Sequence, residues 1–506
     1  MKAYVLLASS FLFLLGCEQT SNKDYITRIA PNLTVEENNP GGDTTVSFKP
    51  FVSFQLPAEN LNDQLKPAFH AGKALANQPW VKAPTVTTAR DGLGPIYNAR
   101  TCLSCHVKGG KGFIPNNNTN PISSTLIRVS KPGSDHNLLK IEGVIPHPVY
   151  GDQIQGQSVS LAHQLRHSQK PGTLKHDVAP EAYVYIHWDT QTFTYPDLHQ
   201  VELRKPQLQF TDLGYGPLGE DTLYSIRVAP AIHGMGLLEL IDENDLHALS
   251  DEDDTNNDGI SGRLNKVWDI EKQATVIGRF GLKANKPTLK MIVAGAFKND
   301  LGISNPLFPN QPCSAQQPSC NSIINGNTKE HGNTKEHGNT KEHGNVELSE
   351  ELLTLTTNFN RDLAPVVRRN SLDVIVKKGR ELFYQTGCNQ CHQPRFKTQS
   401  SKEAPHLSNQ IIWPYTDLLL HDMGPDLADG RPDFLATGNE WRTAPLWGIG
   451  LLQQVNGSNA LLHDGRARTV EEAILWHGGE ATLTKARFIQ LDKIERETLI
   501  KFVNSL

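Results

Sequence analysis

Two short stretches decide how this chain is interpreted. Residues 102–106 read Cys-Leu-Ser-Cys-His, and residues 388–392 read Cys-Asn-Gln-Cys-His. Each stretch places two thiols about one helical turn apart, with an imidazole directly after the second thiol. Thiols at this spacing add to the vinyl groups of a haem, while the adjacent histidine ligates the iron. The sequence therefore predicts two covalently bound haem c groups, held by Cys102, Cys105, His106, Cys388, Cys391 and His392.

The alternatives to haem are a zinc site and a redox-active dithiol. A zinc ribbon pairs two C-x-x-C units about 15–20 residues apart. Here the two units begin 286 positions apart, since 388 − 102 = 286. Repetition of the complete motif, histidine included, favours haem over both alternatives.

The composition excludes several classes of protein. The chain has 506 residues, with 49 Lys+Arg, 54 Asp+Glu and a net charge of −5. Hydrophobic residues make up 38%, which is enough for a core and excludes wholesale disorder. The nearly balanced charge argues against a nucleic-acid partner, which requires a basic surface. No apolar run reaches about 18 residues, which excludes a polytopic membrane protein.

The N-terminus has the features of an export signal. A basic start is followed by an apolar run over residues 3–15 and then by Gly16 and Cys17. The Leu-Leu-Gly-Cys ending resembles a bacterial lipoprotein signal, which implies cleavage before Cys17, lipidation of its sulfur and a periplasm-facing anchor in the cell envelope. The alternative is an ordinary signal with an incidental cysteine. We expect a signal peptide over residues 1–16 and a flexible tether over residues 17–58.

Helical periodicity surrounds the second motif. Apolar residues recur at helical spacing in residues 371–384 and again in residues 491–506. Gly379 lies in the apolar stripe of the first segment and would let the second helix cross closely. A helix with a glycine, then C-x-x-C-H, then a closing terminal helix resembles a class I cytochrome c domain.

That resemblance predicts a mainly α fold with two cytochrome c-like haem domains. We expect the first domain over residues 59–345 and the second over residues 346–506. Irregular and β-hairpin insertions enlarge the first domain, and alternating residues 182–211 predict the hairpin. A threefold Gly-Asn-Thr-Lys-Glu-His repeat at residues 326–343 predicts a disordered polar surface loop.

A distal ligand for the second haem is expected downstream of its motif. Thr469 with Glu472 three residues later forms a capping box, so a helix begins near residue 470. His477 ends that helix before two glycines and can reach an iron beside it. His421 and Met423 are rival ligands in a loop, and their alternative role is packing against the haem edge.

A family resemblance rests on the same region. His-Asp-Gly-Arg at residues 463–466, with Thr-x-Glu-Glu-Ala at 469–473 and then His477, is similar to the closing motif of bacterial di-haem cytochrome c peroxidases. Four further segments match a narrower branch, the bacterial di-haem oxidoreductases: residues 88–95, 258–263, 278–281 and 419–425. The resemblance runs from about residue 60 to the end of the chain.

The resemblance implies a function and its partners. It implies H₂O₂ reduction at the N-terminal haem, with electron transfer or storage at the C-terminal haem. It also implies a small electron-donor cytochrome or another redox protein as partner. In the family, the residue matching His477 is the distal ligand of the C-terminal haem, and in the peroxidases it is Met. A histidine there lowers the haem potential, which departs from the peroxidase pattern.

Peroxide chemistry needs an open iron face with an acid/base group nearby, usually Glu or His. Residues 227–238 resemble residues 442–452 with one residue inserted, which indicates a duplicated unit. The first copy carries His233, Met235 and Glu239. We take Glu239 and His233 as candidate catalytic residues, and the alternative for each is a structural role.

Two smaller features complete the sequence. Asp254, Asn256 and Asp258 occupy positions 1, 3 and 5 of a calcium-loop pattern, but position 12 is Asn265 rather than Glu. Bound Ca²⁺ and a solvated acidic turn therefore both remain open. Two remaining cysteines, seven positions apart, predict a disulfide in an oxidising compartment; they are Cys313 and Cys320.

Two other functions fit the same haem motifs. One is an electron-transfer cytochrome with two six-coordinate irons and no substrate site. The other is an oxidase of a partner protein, linked to iron uptake. An open iron face at the first haem would separate an enzyme from a carrier.

Overall fold

The computed structural model describes residues 30–47, 53–83, 90–159, 178–322 and 346–506. Its α-helices are α1 Lys66–Asn77, α2 Cys102–Cys105, α3 His136–Glu142, α4 Met235–Glu239, α5 Glu243–Leu249, α6 Leu289–Leu301, α7 Pro318–Asn321, α8 Glu350–Arg361, α9 Val374–Thr386, α10 Leu452–Asn456, α11 Val470–Trp476, α12 Thr482–Gln490 and α13 Lys493–Val503. Its strands are β1 Ile96–Tyr97, β2 Thr125–Ser130, β3 Gln157–Ser158, β4 Tyr183–Thr194, β5 Gln200–Thr211, β6 Leu223–Val228, β7 Lys266–Asp269, β8 Ala274–Ile277, β9 Phe396–Lys397, β10 Ile411–Ile412, β11 Leu420–Asp422 and β12 Glu440–Arg442.

The prediction of a mainly α fold, built from two cytochrome c-like haem domains, is wrong. Helices hold 31% and strands 19% of the residues, so the fold is mixed α/β with many small sheets. Several strands are only two or three residues long, and such segments are too short to display an alternating pattern. The prediction rested on the helical periodicity beside the second haem motif. The short strands pair loop segments that are far apart in the chain, and such pairing produces no periodic pattern in the sequence.

Within the described residues, the strands pair two by two and all pairs are antiparallel. The predicted hairpin is present, with β4 and β5 in register from Tyr183 opposite Thr211 to Thr194 opposite Gln200. Strand β2 pairs with β6, from Thr125 opposite Val228 onward. This second pair leads directly into the segment that supports the first haem motif.

Helices α9 and α13 cross closely at Gly379, as the sequence predicts. A Cβ on Gly379 would lie 2.1 Å from the Thr498 carbonyl oxygen, so only glycine allows this approach. Asp373 caps the start of α9 by accepting from the Ile375 amide. Phe502 of α13 packs into the same core as the residues around the crossing, which fixes the helix that precedes the second motif.

The tether prediction does not hold for residues 30–47 and 53–58. Glu37 is completely buried and forms ion pairs with Arg368 and Arg380. Phe54 is equally buried. The polar composition of this stretch resembles a linker, but distant arginines compensate its charge and hold it against the protein. We call residues 30–47 the N-terminal strap.

Several predictions fall outside the described residues: the signal peptide over residues 1–16, Cys17 and the repeat at 326–343. Cys313 and Cys320, the pair expected from the sequence, are joined by a disulfide with a Cα–Cα distance of 5.7 Å. Across the described ranges, no helix combines the length and apolarity needed to cross a bilayer.

Candidate functional site

Both C-x-x-C-H motifs open onto one cavity. Its wall includes the cysteines and histidines of both motifs: Cys102, Cys105, His106, Cys388, Cys391 and His392. His477 lines the same cavity. None of these four cysteines forms a disulfide, whereas Cys313 and Cys320 are joined by one. The cavity therefore offers the thiols and imidazoles that attach two haems.

The first motif is shaped by a short helix and a backbone acceptor. Thr101 caps α2 by accepting from the Ser104 amide, which places both thiols on one turn. His106 Nδ1 lies 2.6 Å from the Pro230 carbonyl oxygen. Because a carbonyl can only accept, Nδ1 carries the proton and Nε2 keeps its lone pair for a metal. Burial lowers the pKa of His106, which favours the neutral, ligating form.

The second motif repeats this arrangement with a different acceptor. His392 Nδ1 donates to the Tyr415 carbonyl oxygen at 3.0 Å, again leaving Nε2 unprotonated. Burial lowers the pKa of His392 to about 4, and the nearby His477 acts in the same direction. The ring of Phe383 lies 6.4 Å from the His392 ring and helps to fix its orientation.

His477, which lies well downstream of the second motif, is oriented in the same way as the two motif histidines. Thr469 caps α11 by accepting from the Glu472 amide, so the predicted helix start is confirmed. His477 follows the last residue of that helix, and its Nδ1 donates to the Ala473 carbonyl at 2.6 Å. Burial lowers its pKa as well, so His477 offers a neutral Nε2.

The thiols themselves sit in surroundings that disfavour charge. Burial, with a smaller contribution from the Asp300 carboxylate, raises the pKa of Cys102 and Cys105 to about 12. Burial raises the pKa of Cys388 to about 11. Such surroundings suit an uncharged thioether, the form that a cysteine takes when it carries haem. The donor set therefore fits two haems.

The comparisons agree with this geometry. Residues 34–506 match the family described as "Di-haem oxidoreductase, putative peroxidase". The chain belongs to this family. Haem is therefore its cofactor, and oxidoreductase is its class of activity. The predicted resemblance to the di-haem oxidoreductases is confirmed.

A comparison with curated proteins found no match. Among solved structures, hydrazine synthase from Kuenenia stuttgartiensis, pressurised with xenon, is similar at 17% identity and a TM-score of 0.22. The match covers 32% of this chain and 57% of that one, so it spans little more than half of the neighbour's length.

His421 is a weaker candidate haem ligand than His477. Its Nδ1 bonds Glu480 at 2.6 Å and its Nε2 bonds Asp417 at 2.8 Å, so both ring nitrogens face carboxylates. Cys391, Asp417 and His421 lie within 4.8 Å of one another, but Cys391 belongs to the second haem motif. Met423 lines the cavity, where a thioether packs well against a flat cofactor.

The two repeated segments meet at the cavity wall. His233 and Trp447 both line the cavity, and the His233 Nε2 lies 3.2 Å from the Trp447 carbonyl oxygen. A Cβ on Gly234 would lie 2.2 Å from a Trp447 ring carbon, and one on Gly448 would lie 2.8 Å from His233 Nε2. Both glycines have positive φ, +74° and +76°. Each repeat thus packs its glycine against the other repeat's ring.

The Glu239 side chain lies outside the cavity lining. Its Oε1 accepts from the Leu289 amide at the start of α6 at 2.8 Å, and its Oε2 lies 3.6 Å from Arg361. Glu239 is not among the residues that line the cavity. The structure therefore brings His233 to the cavity and leaves Glu239 at a helix terminus.

Charged residues near the first motif were missed by the sequence reasoning. Asp300 lines the cavity, accepts from Gln153 at 2.9 Å, and has its pKa raised by burial. Arg128 and Arg227 also line the cavity, and Arg227 pairs with Asp433 at 3.1 Å. Only Arg227 carried a signal, because it begins the repeated segment. The other side chains come from strands and helices with no motif.

The acidic loop lies beside the second motif. Asp254 Oδ1 accepts from the amides of Asp258 and Gly259, and Asn256 Oδ1 accepts from the Asp258 amide. Gln390, inside the second motif, donates to Asp258 Oδ2 at 3.2 Å. The loop oxygens are thus bonded within the loop and to the haem motif. These bonds are compatible with a Ca²⁺ site and with a solvated acidic turn.

Proposed function

We propose that this chain is a peroxidase-type di-haem c oxidoreductase. Each haem is attached through the two thioethers of one C-x-x-C-H motif. His106 and His392 serve as the proximal ligands, and His477 is the distal ligand of the second haem. A bound haem supplies an iron at which H₂O₂ is cleaved and reduced to two waters with two electrons and two protons.

The observation that carries this proposal is the inequality of the two sites. The second site offers two neutral imidazoles, His392 and His477, each with its Nδ1 proton held by a carbonyl. Among the described cavity-lining residues, only His106 is held this way at the first site. Three other imidazoles line the cavity. His421 bonds two carboxylates beside the second motif, and His463 stacks on Trp441. His233 donates Nε2–H to the Trp447 carbonyl, and its buried Nδ1 has no hydrogen-bond partner among the described residues. The second site thus offers two imidazoles whose Nδ1 protons are held by carbonyls and the first offers one, which favours peroxide reduction over simple electron carriage.

The chain's own groups would then position peroxide and supply protons. Asp300 is a cavity-lining carboxyl near the first motif, and burial raises its pKa, which favours the protonated form that can donate to peroxide. Arg128 also lines the cavity and can donate to a bound peroxide oxygen. His233 remains a candidate. Glu239 is the weaker choice, because its carboxylate is engaged at the start of α6.

Electrons must cross between the two sites. Trp447 and His233 contact each other on the cavity wall, between segments that flank the two motifs. Their ring centroids are 6.2 Å apart. We place the route for the electron from the second haem to the first through this contact. A small cytochrome or another redox protein is the proposed donor.

Export and lipid anchoring are part of the same proposal. We place the chain in the bacterial cell envelope, facing the periplasm and anchored through lipid on Cys17. The lipoprotein-like N-terminus supports this, as does the bond between Cys313 and Cys320, since disulfides persist in oxidising compartments. A Ca²⁺ ion in the acidic loop, with a solvated turn as the alternative, completes the proposed cofactors.

The test is a titration of the purified diferric and half-reduced protein with H₂O₂, followed by its visible spectrum. We expect one haem per chain to respond stoichiometrically and turnover to begin when a reduced cytochrome is added. Removing the first attachment pair, Cys102→Ala with Cys105→Ala, should abolish the response. Removing the second pair, Cys388→Ala with Cys391→Ala, should stop turnover only. A wild type whose spectrum ignores peroxide in both states would contradict the proposal and leave an electron carrier.

A further inference from the structure

Tyr415 provides the carbonyl that orients His392, and it does so from an unusual backbone conformation. Its φ is +55°, in the left-handed region that bulky side chains rarely adopt. The direction of its carbonyl follows from this conformation. Relaxation to negative φ would turn the carbonyl away from His392 Nδ1, which it now meets at 3.0 Å. Contacts from the rest of the protein must therefore keep Tyr415 at positive φ.

The Tyr415 side chain is anchored at its far end. Its hydroxyl donates to Glu37 Oε1 at 2.5 Å, and both residues are completely buried. Its ring packs against Phe383 and Phe502, at centroid distances of 5.8 and 5.9 Å. The aromatic contacts restrict the ring, but the hydrogen bond alone fixes its tip in one direction.

Glu37 is itself held by two buried arginines. Arg368 donates to Glu37 Oε1, and Arg380 approaches both oxygens, with Nε 3.0 Å from Oε1 and Nη2 2.9 Å from Oε2. The strap contacts this region a second time, because the Trp413 amide donates to the Pro40 carbonyl at 2.8 Å. The strap thus contacts residues 413–415 through one ionic cluster and one backbone hydrogen bond.

We propose that Glu37 is a positioning residue for the second haem: through Tyr415, the N-terminal strap holds the carbonyl that accepts the His392 Nδ1 proton. The inference rests on the proposed function, since it requires a haem ligated by His392. It assigns the strap, which the sequence presented as a linker, a part in setting the second haem's redox properties.

The physical consequence has a definite sign. A firm hydrogen bond from Nδ1 makes the imidazole a stronger electron donor, which stabilises the oxidised iron and lowers the potential. Loss of the anchor lets the Tyr415 carbonyl drift and weakens that bond. The midpoint potential of the second haem should therefore rise, whereas the first haem, whose His106 bonds Pro230, should not respond.

The test is a spectroelectrochemical titration of the Tyr415→Phe holoprotein, which loses only the hydroxyl. We expect the second haem to shift upward by about a tenfold change in its reduction constant, which is about 59 mV for one electron. The matched control is Tyr195→Phe, because the Tyr195 hydroxyl also donates to a glutamate, Glu471, at 3.0 Å, and neither residue lines the cavity. The control should leave both potentials unchanged.

Glu37→Gln provides a second variant if Tyr415→Phe does not fold, and it should shift the same potential in the same direction. Unchanged second-haem potentials, with a loss of melting temperature like that of Tyr195→Phe, would reduce Glu37 to a structural role and overturn the inference. Haem content distinguishes this failure from that of the proposed function. A wild type with fewer than two haems per chain would contradict the function, whereas two haems with unshifted potentials would contradict only the inference.

Discussion

The two haem sites share a motif and a histidine held by a backbone carbonyl, but the elements that supply the carbonyl and the neighbouring side chains differ. At the first, His106 bonds the carbonyl of Pro230, in a segment that follows β6. At the second, His392 bonds Tyr415, which the N-terminal strap secures from outside. His477 lines the cavity near the second motif, whereas charged residues line the cavity near the first motif. If the proposed function holds, one attachment chemistry serves two differently coordinated irons, because neighbouring residues decide the remaining coordination.

Removal of the attachment cysteines is the largest change expected. Cys102→Ala with Cys105→Ala should lower the haem content from two per chain to one and abolish peroxide reduction. Cys388→Ala with Cys391→Ala should also leave one haem, but this haem should still react with peroxide. Haem content by pyridine haemochrome and mass spectrometry measures both variants. Equal peroxide reactivity in the two variants would remove the functional difference between the sites.

The next prediction separates two carboxyls near the first site. Asp300→Asn should lower the rate of peroxide reduction by about 100-fold, because a positioned proton donor contributes on this order. Since burial raises the pKa of Asp300, the wild-type rate should fall as the pH rises through that raised value, and the variant should lose this limb. Glu239→Gln is the matched control and should keep near wild-type rates. The reverse ranking of the two variants would restore Glu239 as the acid.

Replacement of the distal histidine tests the second site. His477→Met should raise the potential of the second haem while keeping it low-spin, because thioether ligation favours reduced iron. His421→Gln should leave the second haem low-spin, since both His421 nitrogens already bond carboxylates. Redox titration measures the haem potentials of both variants, and the visible spectrum reports their spin states. A high-spin second haem in His421→Gln would assign the ligand to His421 instead.

The smallest effects concern the contact between the repeats. Gly234→Ala forces a methyl into Trp447 and should cost about 2–3 kcal/mol of unfolding free energy, the sum of steric and backbone strain. Gly457→Ala is the control, because Gly457 has a similar φ of +75° and nothing within 4 Å of its Cβ position. It should cost only about 1–2 kcal/mol. Denaturant unfolding of the holoprotein measures both, and equal costs would deny the tight packing between repeats.

Much of the chemistry was predictable from local sequence. The two haem motifs, the Thr469 cap that begins α11 and the long hairpin depend on residues close together in the chain. The two helices that cross at Gly379 are each marked by their own local apolar periodicity. Each has a spacing that a side-chain pattern records. These features alone predict the attachment residues and the position of His477 after α11.

The rest depended on distant backbone pairing. The carbonyls of Pro230 and Tyr415 orient the two proximal histidines, and any residue type presents a carbonyl, so no pattern marks them. The strap was mistaken for a linker because Glu37 meets its arginines more than 300 positions later in the chain. The fold class was wrong for the same reason, since short strands pair across long separations without periodicity.

The central claim is that the two irons are unequally coordinated, and low-temperature EPR of the diferric protein tests it most directly. The account predicts one high-spin signal from the haem on His106 and one low-spin signal from the haem on His392 and His477. The His106 signal alone should disappear when Cys102 and Cys105 are replaced. Two low-spin signals, unchanged after one-electron reduction and reoxidation by peroxide, would contradict the claim.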